Sequence, residues 1–289
     1  MTITTATLKQ LKTTFNEQGY VILRQAITPE CVASVRAELA VMVDEIAIGL
    51  RAMDRISNLH EDAPFQTRLM LLFEGMENFR PQLFRSNLHR AEFYDLFFCP
   101  GVLDLAEFLL GPEVRLYPNY SVRPKMPNDA RTQALWHQDA GYTESAQQGD
   151  RPDGLTSAKL RMVNIWSSLV PATPENGCMQ FIPGSHRLGV VPHEDREHFL
   201  QITEAALSPL LDQAVDITTE PGDIVLFSNL LFHQGQPNCS QEIRWSCDWR
   251  YQDATQPTLR AEAGHLARSK QSPRDVVSSR DDWAKLRLS

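Results

Sequence analysis

Two short stretches of the sequence contain residue types that bind transition metals. Residues 136–139 read Trp-His-Gln-Asp, and His233 opens a second stretch that ends at Arg244. Alternate side chains of an extended strand point to one face, so His137 and Asp139 would lie together, about 7 Å apart along the backbone. Two histidines and one carboxylate on one side of a metal leave three positions open, which suits Fe(II) that must bind a co-substrate and O2. A structural zinc site would instead be closed, usually by four protein ligands.

The spacing from His233 to Arg244 predicts that the arginine binds an acid beside this metal. Residues 237–240 read Pro-Asn-Cys-Ser, which is typical of a turn. If the turn is a hairpin centred between Asn238 and Cys239, His233 and Arg244 lie opposite each other, about 5 Å apart on one face. If the turn instead carries the chain to a second sheet, the only remaining argument is that the long arginine side chain can reach the ligand of the metal. The guanidinium of Arg244 then matches the far carboxylate of a dicarboxylate whose near end chelates the metal.

Each of these residues also has an ordinary interpretation when it is taken alone. A His-x-Asp pair occurs by chance in many proteins, and a histidine before a Gly-Gln-Pro turn is usually exposed or packed. A single arginine is usually a surface residue. The metal-site hypothesis therefore depends on the combination of His137, Asp139, His233 and Arg244.

At these residues the chain resembles the phytanoyl-CoA dioxygenase family of Fe(II)/2-oxoglutarate-dependent oxygenases. Three further stretches match the family's order and spacing: residues 163–170, 176–187 and 221–233. The match extends from about residue 111 to about residue 251. The resemblance implies that Fe(II) is held by His137, Asp139 and His233. It also implies a double-stranded β-helix, which is a form of jelly roll.

The resemblance also assigns residues to the co-substrate. It implies that Arg244 binds 2-oxoglutarate and that Trp166 lies beside it. Asn119, in the first predicted strand of the core, is our candidate for a further 2-oxoglutarate contact. For Trp166 and Asn119 the alternative is a plain core aromatic and a buried, hydrogen-bonded asparagine. Many relatives have Ser or Thr two residues after the distal histidine, where this chain has Gly235, so one hydrogen bond to 2-oxoglutarate is in question.

Residues 140–159 follow Asp139 directly, are polar and contain Gly and Pro. We expect a loop there that overhangs the metal as part of a substrate lid, because functional loops are positioned by rigid scaffolds. Tyr142, Arg123 and Asn164 are our candidates for substrate contacts. Related halogenases have a small residue in place of the carboxylate, so Asp139 argues against halogenation.

The remaining histidines are assigned no metal role. His193 and His198 lie five residues apart in a charged segment, and we expect them to be solvated. Ser185 and His186 follow a Pro-Gly turn, and adjacent residues seldom form a nucleophile and base. We interpret this pair as part of a structural turn.

The pattern along the chain predicts N-terminal helices followed by a mainly β part, and the resemblance implies that this β part is a jelly-roll core on which the helices pack. A Thr-Pro-Glu helix start at Thr28 opens an amphipathic segment, and further helical patterns extend to residue 110. From Glu113, short runs rich in Val, Ile, Leu, Trp and Tyr alternate with turns, which is typical of a sandwich or barrel. We expect one domain, with a helical part at 1–112, the catalytic core at 113–251 and a tail at 252–289. A chain of 289 residues also fits two small domains. The candidate strands span residues 114–123, 160–169, 179–182, 224–227 and 243–251, and the tail forms a short helix near residues 281–288 or frays.

The amino-acid composition argues against some classes of binding partner. The formal net charge of −8 argues against a general nucleic-acid binder. The N-terminus lacks the basic region and apolar run of a signal peptide, and no apolar run is long enough to span a membrane. The five cysteines are scattered without a Cys-x-x-Cys pair, which fits reduced thiols. We expect a cytoplasmic protein with a small-molecule substrate, no nucleic-acid or membrane partner, and a monomeric or homodimeric state.

These expectations combine into a function. The chain would use Fe(II), 2-oxoglutarate and O2 to hydroxylate an unactivated C–H bond of a small metabolite or natural product, with release of succinate and CO2. Demethylation, desaturation or ring formation would follow if the substrate were placed differently, and an acyl-CoA substrate stays open. The alternatives are a degenerate binding protein without turnover and a cupin-like metal enzyme that does not use 2-oxoglutarate.

Overall fold

The computed structural model describes residues 5–76, 83, 85–145, 155–197 and 199–286 of the 289-residue chain. The helices are α1 (Thr5–Gln18), α2 (Pro29–Ala52), α3 (Phe65–Leu72), α4 (Ala91–Phe97), α5 (Pro100–Leu110), α6 (Asp139–Ser145), α7 (Glu204–Leu207) and α8 (Arg280–Lys285). The strands are β1 (Tyr20–Leu23), β2 (Val114–Leu116), β3 (Ser121–Lys125), β4 (Met162–Ser168), β5 (Met179–Phe181), β6 (His193–Asp195), β7 (Leu200–Ile202), β8 (Val215–Ile217), β9 (Ile224–Ser228), β10 (His233–Gly235), β11 (Arg244–Asp253) and β12 (His265–Arg268).

Helix α2 begins where the sequence predicts. The Thr28 side chain accepts a 3.2 Å hydrogen bond from the backbone N–H of Cys31, and Pro29 occupies the first turn, where a missing N–H has no cost. The predicted apolar stripe is buried, and it consists of Val32, Val35, Leu39 and Val43. None of the described helices combines the length and the apolar character needed to cross a lipid bilayer.

The larger sheet has seven antiparallel strands in the order β1-β9-β4-β11-β2-β12, with β3 also paired to β11. Strand β11 is buried along all ten of its residues. It pairs with β4 along one edge and with β3 and then β2 along the other. Its register is therefore fixed from both sides.

The smaller sheet has the order β10-β5-β8, and β6 pairs with β7 in a separate ribbon. An isolated bridge joins His137 to His233, so the segment before α6 extends this second sheet by one residue pair. The two facing sheets with helices packed on one of them form the predicted double-stranded β-helix. The mainly β prediction is confirmed.

The two faces of the larger sheet meet different parts of the molecule. On β4, Ile165 belongs to the main hydrophobic core that also includes the N-terminal helices. The neighbouring Trp166 belongs to a second cluster with Phe181 and Phe227, between the two sheets. Because both faces are covered, β4 and β11 are buried along their whole length instead of at alternate residues.

The predicted strand at residues 114–123 is wrong in its middle. Strand β2 ends at Leu116 and β3 begins at Ser121. The Asn119 N–H donates to the Tyr117 carbonyl at 2.6 Å, and the intervening Pro118 has no N–H to donate, so the chain turns here. Tyr117 and Asn119 consequently do not continue the strand face of β3.

The end of the chain packs on the helical layer, so the expected short tail helix is confirmed as α8. The Ser279 side chain caps it by accepting a 3.1 Å hydrogen bond from the Asp282 N–H. Trp283 is fully buried, and its indole N–H donates to the Leu88 carbonyl at 2.9 Å. Its ring lies 4.2 Å from that of His89.

We expect Trp283→Ala to lower the free energy of unfolding by about 3–5 kcal/mol, because it leaves a cavity and an unpaired carbonyl under α8. Trp283→Phe should cost less, since it keeps the ring, and the exposed Lys285→Ala on the same helix serves as the control. Denaturant unfolding followed by far-UV circular dichroism measures all three. An unchanged midpoint for Trp283→Ala would mean that the tail unfolds separately from the core.

Candidate active site

Three side chains with metal-binding atoms meet where β10 faces the start of α6. His233 and His137 exchange two backbone hydrogen bonds of 2.9 and 3.0 Å, which fixes them side by side. Asp139 is the first residue of α6. Its Oδ1 lies 3.6 Å from His137 Nε2 and 4.0 Å from His233 Nε2. One ligand atom from each residue lies within 4.8 Å of the others, a spacing that a single ion can bridge.

The expected extended conformation of residues 137–139 is wrong, because the chain turns into α6 at Asp139. Gln138, between the two ligand residues, fixes this turn. It is fully buried, and its side-chain amide donates to the carbonyls of Gly189 and Leu230, both at 2.7 Å. The two flanking side chains therefore converge through a turn instead of along one strand face.

Both imidazoles are oriented by backbone carbonyls. Nδ1 of His137 lies 2.6 Å from the Leu135 carbonyl, and Nδ1 of His233 lies 2.9 Å from the Leu231 carbonyl. A carbonyl only accepts, so Nδ1 carries the proton and Nε2 offers its lone pair toward Asp139. Burial, together with the neighbouring His137, lowers the pKa of His233 to about 3, so its ring is neutral. Neutral imidazole is the form that binds metals.

One carboxylate oxygen of Asp139 is hydrogen-bonded within the protein, and the other faces the two histidines. Its Oδ2 accepts hydrogen bonds of 2.7 Å from both the Arg250 guanidinium and the Asn164 amide. Burial raises the pKa of Asp139, but Arg250 and then the two histidines outweigh it, and the pKa lies well below its usual value. Asp139 is therefore charged, with Oδ1 directed at the histidines.

Arg250 was missed by the sequence reading. Arg250 and Asn164 are paired residues of β11 and β4, so both reach Asp139 from one sheet face. Arg250 is also held by the Asn119 carbonyl at 3.1 Å and by Asp248 at 3.4 Å. A signal for it exists, since β11 places polar residues at alternate positions of an otherwise apolar run. These positions are Arg244, Ser246, Asp248 and Arg250.

Arg244 is buried at the start of β11. Its guanidinium donates to Ser246 Oγ at 2.5 Å and to the Gly177 carbonyl at 3.3 Å, and it lies 5.2 Å from the Trp166 ring. Burial lowers the pKa of Arg244 to about 10, so it remains a cation near neutral pH. The hairpin prediction is wrong, because β10 pairs with β5 while β11 pairs with β3 and β4. The turn at residues 237–240 carries the chain between sheets, which was the second alternative.

A cavity of about 1210 Å³ joins these groups. The three candidate ligands and Arg244 line this cavity, as do Trp166 and Asn119. Its apolar lining includes Met70, Leu71, Phe73, Met76, Leu83 and Met126. The volume exceeds that of an ordinary single-ligand pocket, so it can hold a co-substrate and a substrate together.

The three residues predicted to contact substrate have different positions. Arg123 lines the cavity with 59% of its side chain exposed and is anchored by a 2.5 Å hydrogen bond to Asp248. Tyr142, on α6, lines it too; its hydroxyl accepts from the Leu200 N–H at 3.0 Å and its ring meets that of His137 edge-on. Asn164 instead binds Asp139 and is not among the cavity-lining residues described.

The predicted loop at residues 140–159 is wrong at its start, since α6 extends to Ser145. Residues 146–154 lie outside the described residues, so the lid stays a prediction. His193 is not simply solvated: its Nε2 accepts from the Gln138 N–H at 3.2 Å. Ser185 is structural, since its hydroxyl donates to the Ile182 carbonyl and accepts from a backbone N–H. His198 lies outside the described residues.

The donor set fits a ferrous ion by its chemistry. Two imidazole nitrogens and one carboxylate oxygen lie within reach of a single ion, and all three residues line the cavity. This facial arrangement is typical of non-haem Fe(II) oxygenases, which need open positions for two further ligands. The hydrogen bonds from Arg250 and Asn164 supply the supporting contacts that metal-binding carboxylates usually have.

Comparison with known proteins agrees with this geometry. A family model described as phytanoyl-CoA dioxygenase (PhyH) matches residues 15–246. The chain is 26% identical over 254 residues to 1-deoxypentalenic acid 11-beta-hydroxylase of Streptomyces arenae, with 83% of this chain and 80% of the relative covered.

Two solved structures share the fold. The non-heme monooxygenase ThoJ in its apo form matches with a TM-score of 0.60 at 21% identity, covering 96% of this chain and 93% of the other. The epimerase SnoN in complex with Fe3+, alpha ketoglutarate and nogalamycin RO matches with a TM-score of 0.58 at 22% identity, covering 89% and 88%.

We expect Arg250→Met to weaken metal binding by about 10- to 100-fold, because it removes the cation that keeps Asp139 charged and directed. Asn164→Ala removes one neutral hydrogen-bond donor to Asp139 and should weaken metal binding less than Arg250→Met does. Competition between the protein and a chelator for Mn(II), an oxygen-stable stand-in for Fe(II), measures both. Equal affinity of the Arg250→Met variant and the wild type would show that the pair does not orient the carboxylate.

Proposed function

The chain belongs to the phytanoyl-CoA dioxygenase family, and from this premise we propose that it is an Fe(II)/2-oxoglutarate-dependent oxygenase. Its reaction is hydroxylation of an unactivated C–H bond in a small metabolite or natural product. The observation that carries the proposal is the set of His137, Asp139 and His233 facing a cavity that also contains a buried arginine. Succinate and CO2 are the co-products.

His137, Asp139 and His233 would hold the iron through Nε2, Oδ1 and Nε2 respectively. When bound, the iron supplies open positions for 2-oxoglutarate and O2 and the oxidising power for the C–H bond. Burial keeps the His233 imidazole neutral and Asp139 stays charged, so neither residue has to lose a proton before the metal binds. Arg250 and Asn164 act as positioning residues for Asp139.

Arg244 would bind the distal carboxylate of 2-oxoglutarate. It is a buried cation whose planar fork suits a carboxylate, and the Trp166 ring beside it limits its orientation. Trp166 and Asn119 also line the cavity and would contact the carbon chain and the polar end of the co-substrate. The position expected to supply a hydroxyl is Gly235, which lines the cavity without one.

The substrate would occupy the remaining part of the cavity. The apolar lining from α3 and from Met126 fits a carbon skeleton, and Arg123 and Tyr142 offer polar contacts on the side near the iron ligands. The relative from Streptomyces arenae, 1-deoxypentalenic acid 11-beta-hydroxylase, is by its name a hydroxylase of an organic acid. We propose a substrate of this class: a mostly apolar molecule with at least one polar group.

The decisive experiment is an anaerobic titration followed by exposure to oxygen. Fe(II) with 2-oxoglutarate should give a weak visible charge-transfer band, and His137→Ala and Asp139→Ala should abolish both this band and succinate formation. The exposed Asp212→Ala is the matched acid control and should behave as wild type. A band without succinate, across a library of metabolites, would instead favour a binding protein without turnover.

With a substrate in hand, we expect Arg123→Met to raise the KM for that substrate about tenfold or more, because it removes a cation from the cavity wall. The KM for 2-oxoglutarate should stay within about twofold, since the charge of Arg123 is already paired with Asp248. Steady-state succinate assays with each concentration varied in turn measure both constants. A change confined to the 2-oxoglutarate constant would place Arg123 at the co-substrate instead.

A further inference from the structure

The connection between β11 and β12 contributes a cation to the cavity that has no role in the reaction described so far. Arg260 belongs to this connection and lines the cavity. The central carbon of its guanidinium lies 5.8 Å from the centre of the Tyr117 ring, a cation–π distance. Arg260 Nε is buried and has no hydrogen-bond partner within the described residues. The guanidinium therefore has donor capacity left for a ligand.

The loop that carries Arg260 is held at several points. The Arg260 N–H donates to the Thr258 carbonyl at 2.7 Å, and the Thr258 hydroxyl donates to the Glu262 carbonyl, also at 2.7 Å. The Glu262 carboxylate forms an ion pair of 2.8 Å with Arg85, which joins the loop to the segment before α4. The direction in which Arg260 leaves the backbone is thus fixed by the loop itself.

Arg260 is the unpaired member of a group of arginines. Arg260, Arg250 and Arg85 are the cations that act on the buried hydroxyl of Tyr117. Carboxylates pair with Arg250 and with Arg85, but no described acid forms an ion pair with Arg260. Burial raises the pKa of Tyr117 more than the arginines lower it, so the aromatic neighbour of Arg260 is a neutral phenol. The positive charge of Arg260 is therefore available to an anion in the cavity.

Arg260 and Arg244 lie at opposite ends of the same sheet face. The Tyr117 N–H donates to the Arg250 carbonyl at 2.9 Å, so Tyr117 and the arginine over its ring belong to the Arg250 end of β11. Arg244 begins this strand six residues earlier, which is about 20 Å along an extended chain. A five-carbon diacid that binds both Arg244 and a metal is too short to reach Arg260 as well. Arg260 consequently faces a different ligand.

The apolar wall of the cavity extends to the same loop. Leu83 lines the cavity, and its carbonyl accepts a 2.7 Å hydrogen bond from the Val122 N–H. Two residues later, Arg85 holds Glu262 of the loop that carries Arg260. A molecule lying along the apolar wall would thus meet a cation at one end. One guanidinium matches one carboxylate through two parallel hydrogen bonds, whereas a chain of phosphates would need several cations.

We propose that Arg260 binds a carboxylate of the substrate, and that the substrate is therefore an apolar carboxylic acid. This inference rests on the proposed function, because it names the substrate class for that function's cavity. The guanidinium anchors the acid group, and the apolar wall holds the carbon skeleton. Arg244 stays available for the co-substrate, so the two acids bind at separate cations.

The first test compares matched ligands by anaerobic calorimetry of Mn(II)-loaded protein. Saturating 2-oxoglutarate fills the site at Arg244, so that an added acid cannot bind there. The panel contains linear, branched and polycyclic apolar carboxylic acids, each with its primary amide and with the alkyl phosphate of the same skeleton. The wild type should bind the preferred acid about tenfold or more tightly than its amide. A panel in which no acid is preferred over its amide would overturn the proposal, as would tighter binding of the phosphate.

Variants then assign the preference to one residue. Arg260→Met should weaken binding of the preferred acid about 10- to 100-fold and change that of its amide by no more than about twofold. Arg260→Lys should retain part of the acid affinity, since it keeps the charge and loses the planar fork. The exposed Arg274→Met in the same tail is the matched control and should behave as wild type. Unchanged affinity for 2-oxoglutarate shows that each variant is folded.

The outcomes separate this inference from the proposed function. An equal loss for acid and amide would mean that Arg260 only supports its loop, and no loss for the acid would exclude it from the site. Wild-type protein that binds Mn(II) but no 2-oxoglutarate would overturn the proposed function. The preference for acids and its dependence on Arg260 can be measured in that protein too, so the two failures are distinguishable.

The second test uses turnover of the preferred acid. Arg260→Met should raise the KM for the acid about tenfold or more and leave the KM for 2-oxoglutarate within about twofold. The ratio of hydroxylated product to succinate should fall, because an acid that is not anchored presents its C–H bond to the iron less often. An unchanged KM for the acid together with an unchanged ratio would contradict the assignment of Arg260.

Discussion

The ion pair between Asp139 and Arg250 is the interaction on which the candidate site depends. Burial alone would favour a neutral carboxyl at Asp139, and a neutral carboxyl is a poor ligand for iron. Arg250 is the strongest of the neighbours that oppose this preference and, with Asn164, occupies one carboxylate oxygen so that the other faces the histidines. Since Arg250 and Asn164 are paired residues of adjacent strands, the ligand orientation is fixed by the backbone of the sheet.

The same sheet face creates an uneven distribution of charge. Near the iron ligands, Arg250 is balanced by Asp139 and Asp248, and Arg123 is balanced by Asp248. At the start of β11 and the end of β3, Arg244 and Lys125 form no ion pair within the described residues. A chain with a net charge of −8 thus keeps a positive pocket inside. The local field, and not the overall charge, selects an acidic co-substrate.

Sequence patterns predicted what depends on residue type and local order. His137, Asp139 and His233 are recognisable because few other sites combine these residues in this order, and α2 is recognisable by its cap and apolar stripe. Sequence patterns did not predict which distant segments of the chain contact each other. The role of Asn164 depends on the register of β4 against β11, and the predicted hairpin failed because a turn motif does not reveal which sheet the chain enters next.

Strand β11 also determines where the chain tolerates a change of length. It presents four polar side chains to the cavity at every second position, from Arg244 to Arg250, and apolar ones to the helical layer. One residue inserted or deleted within it would turn the polar groups on one side of that point into the apolar core and bring apolar side chains into the cavity. Length variation among relatives should therefore fall in the connection between β11 and β12, where the backbone leaves the sheet.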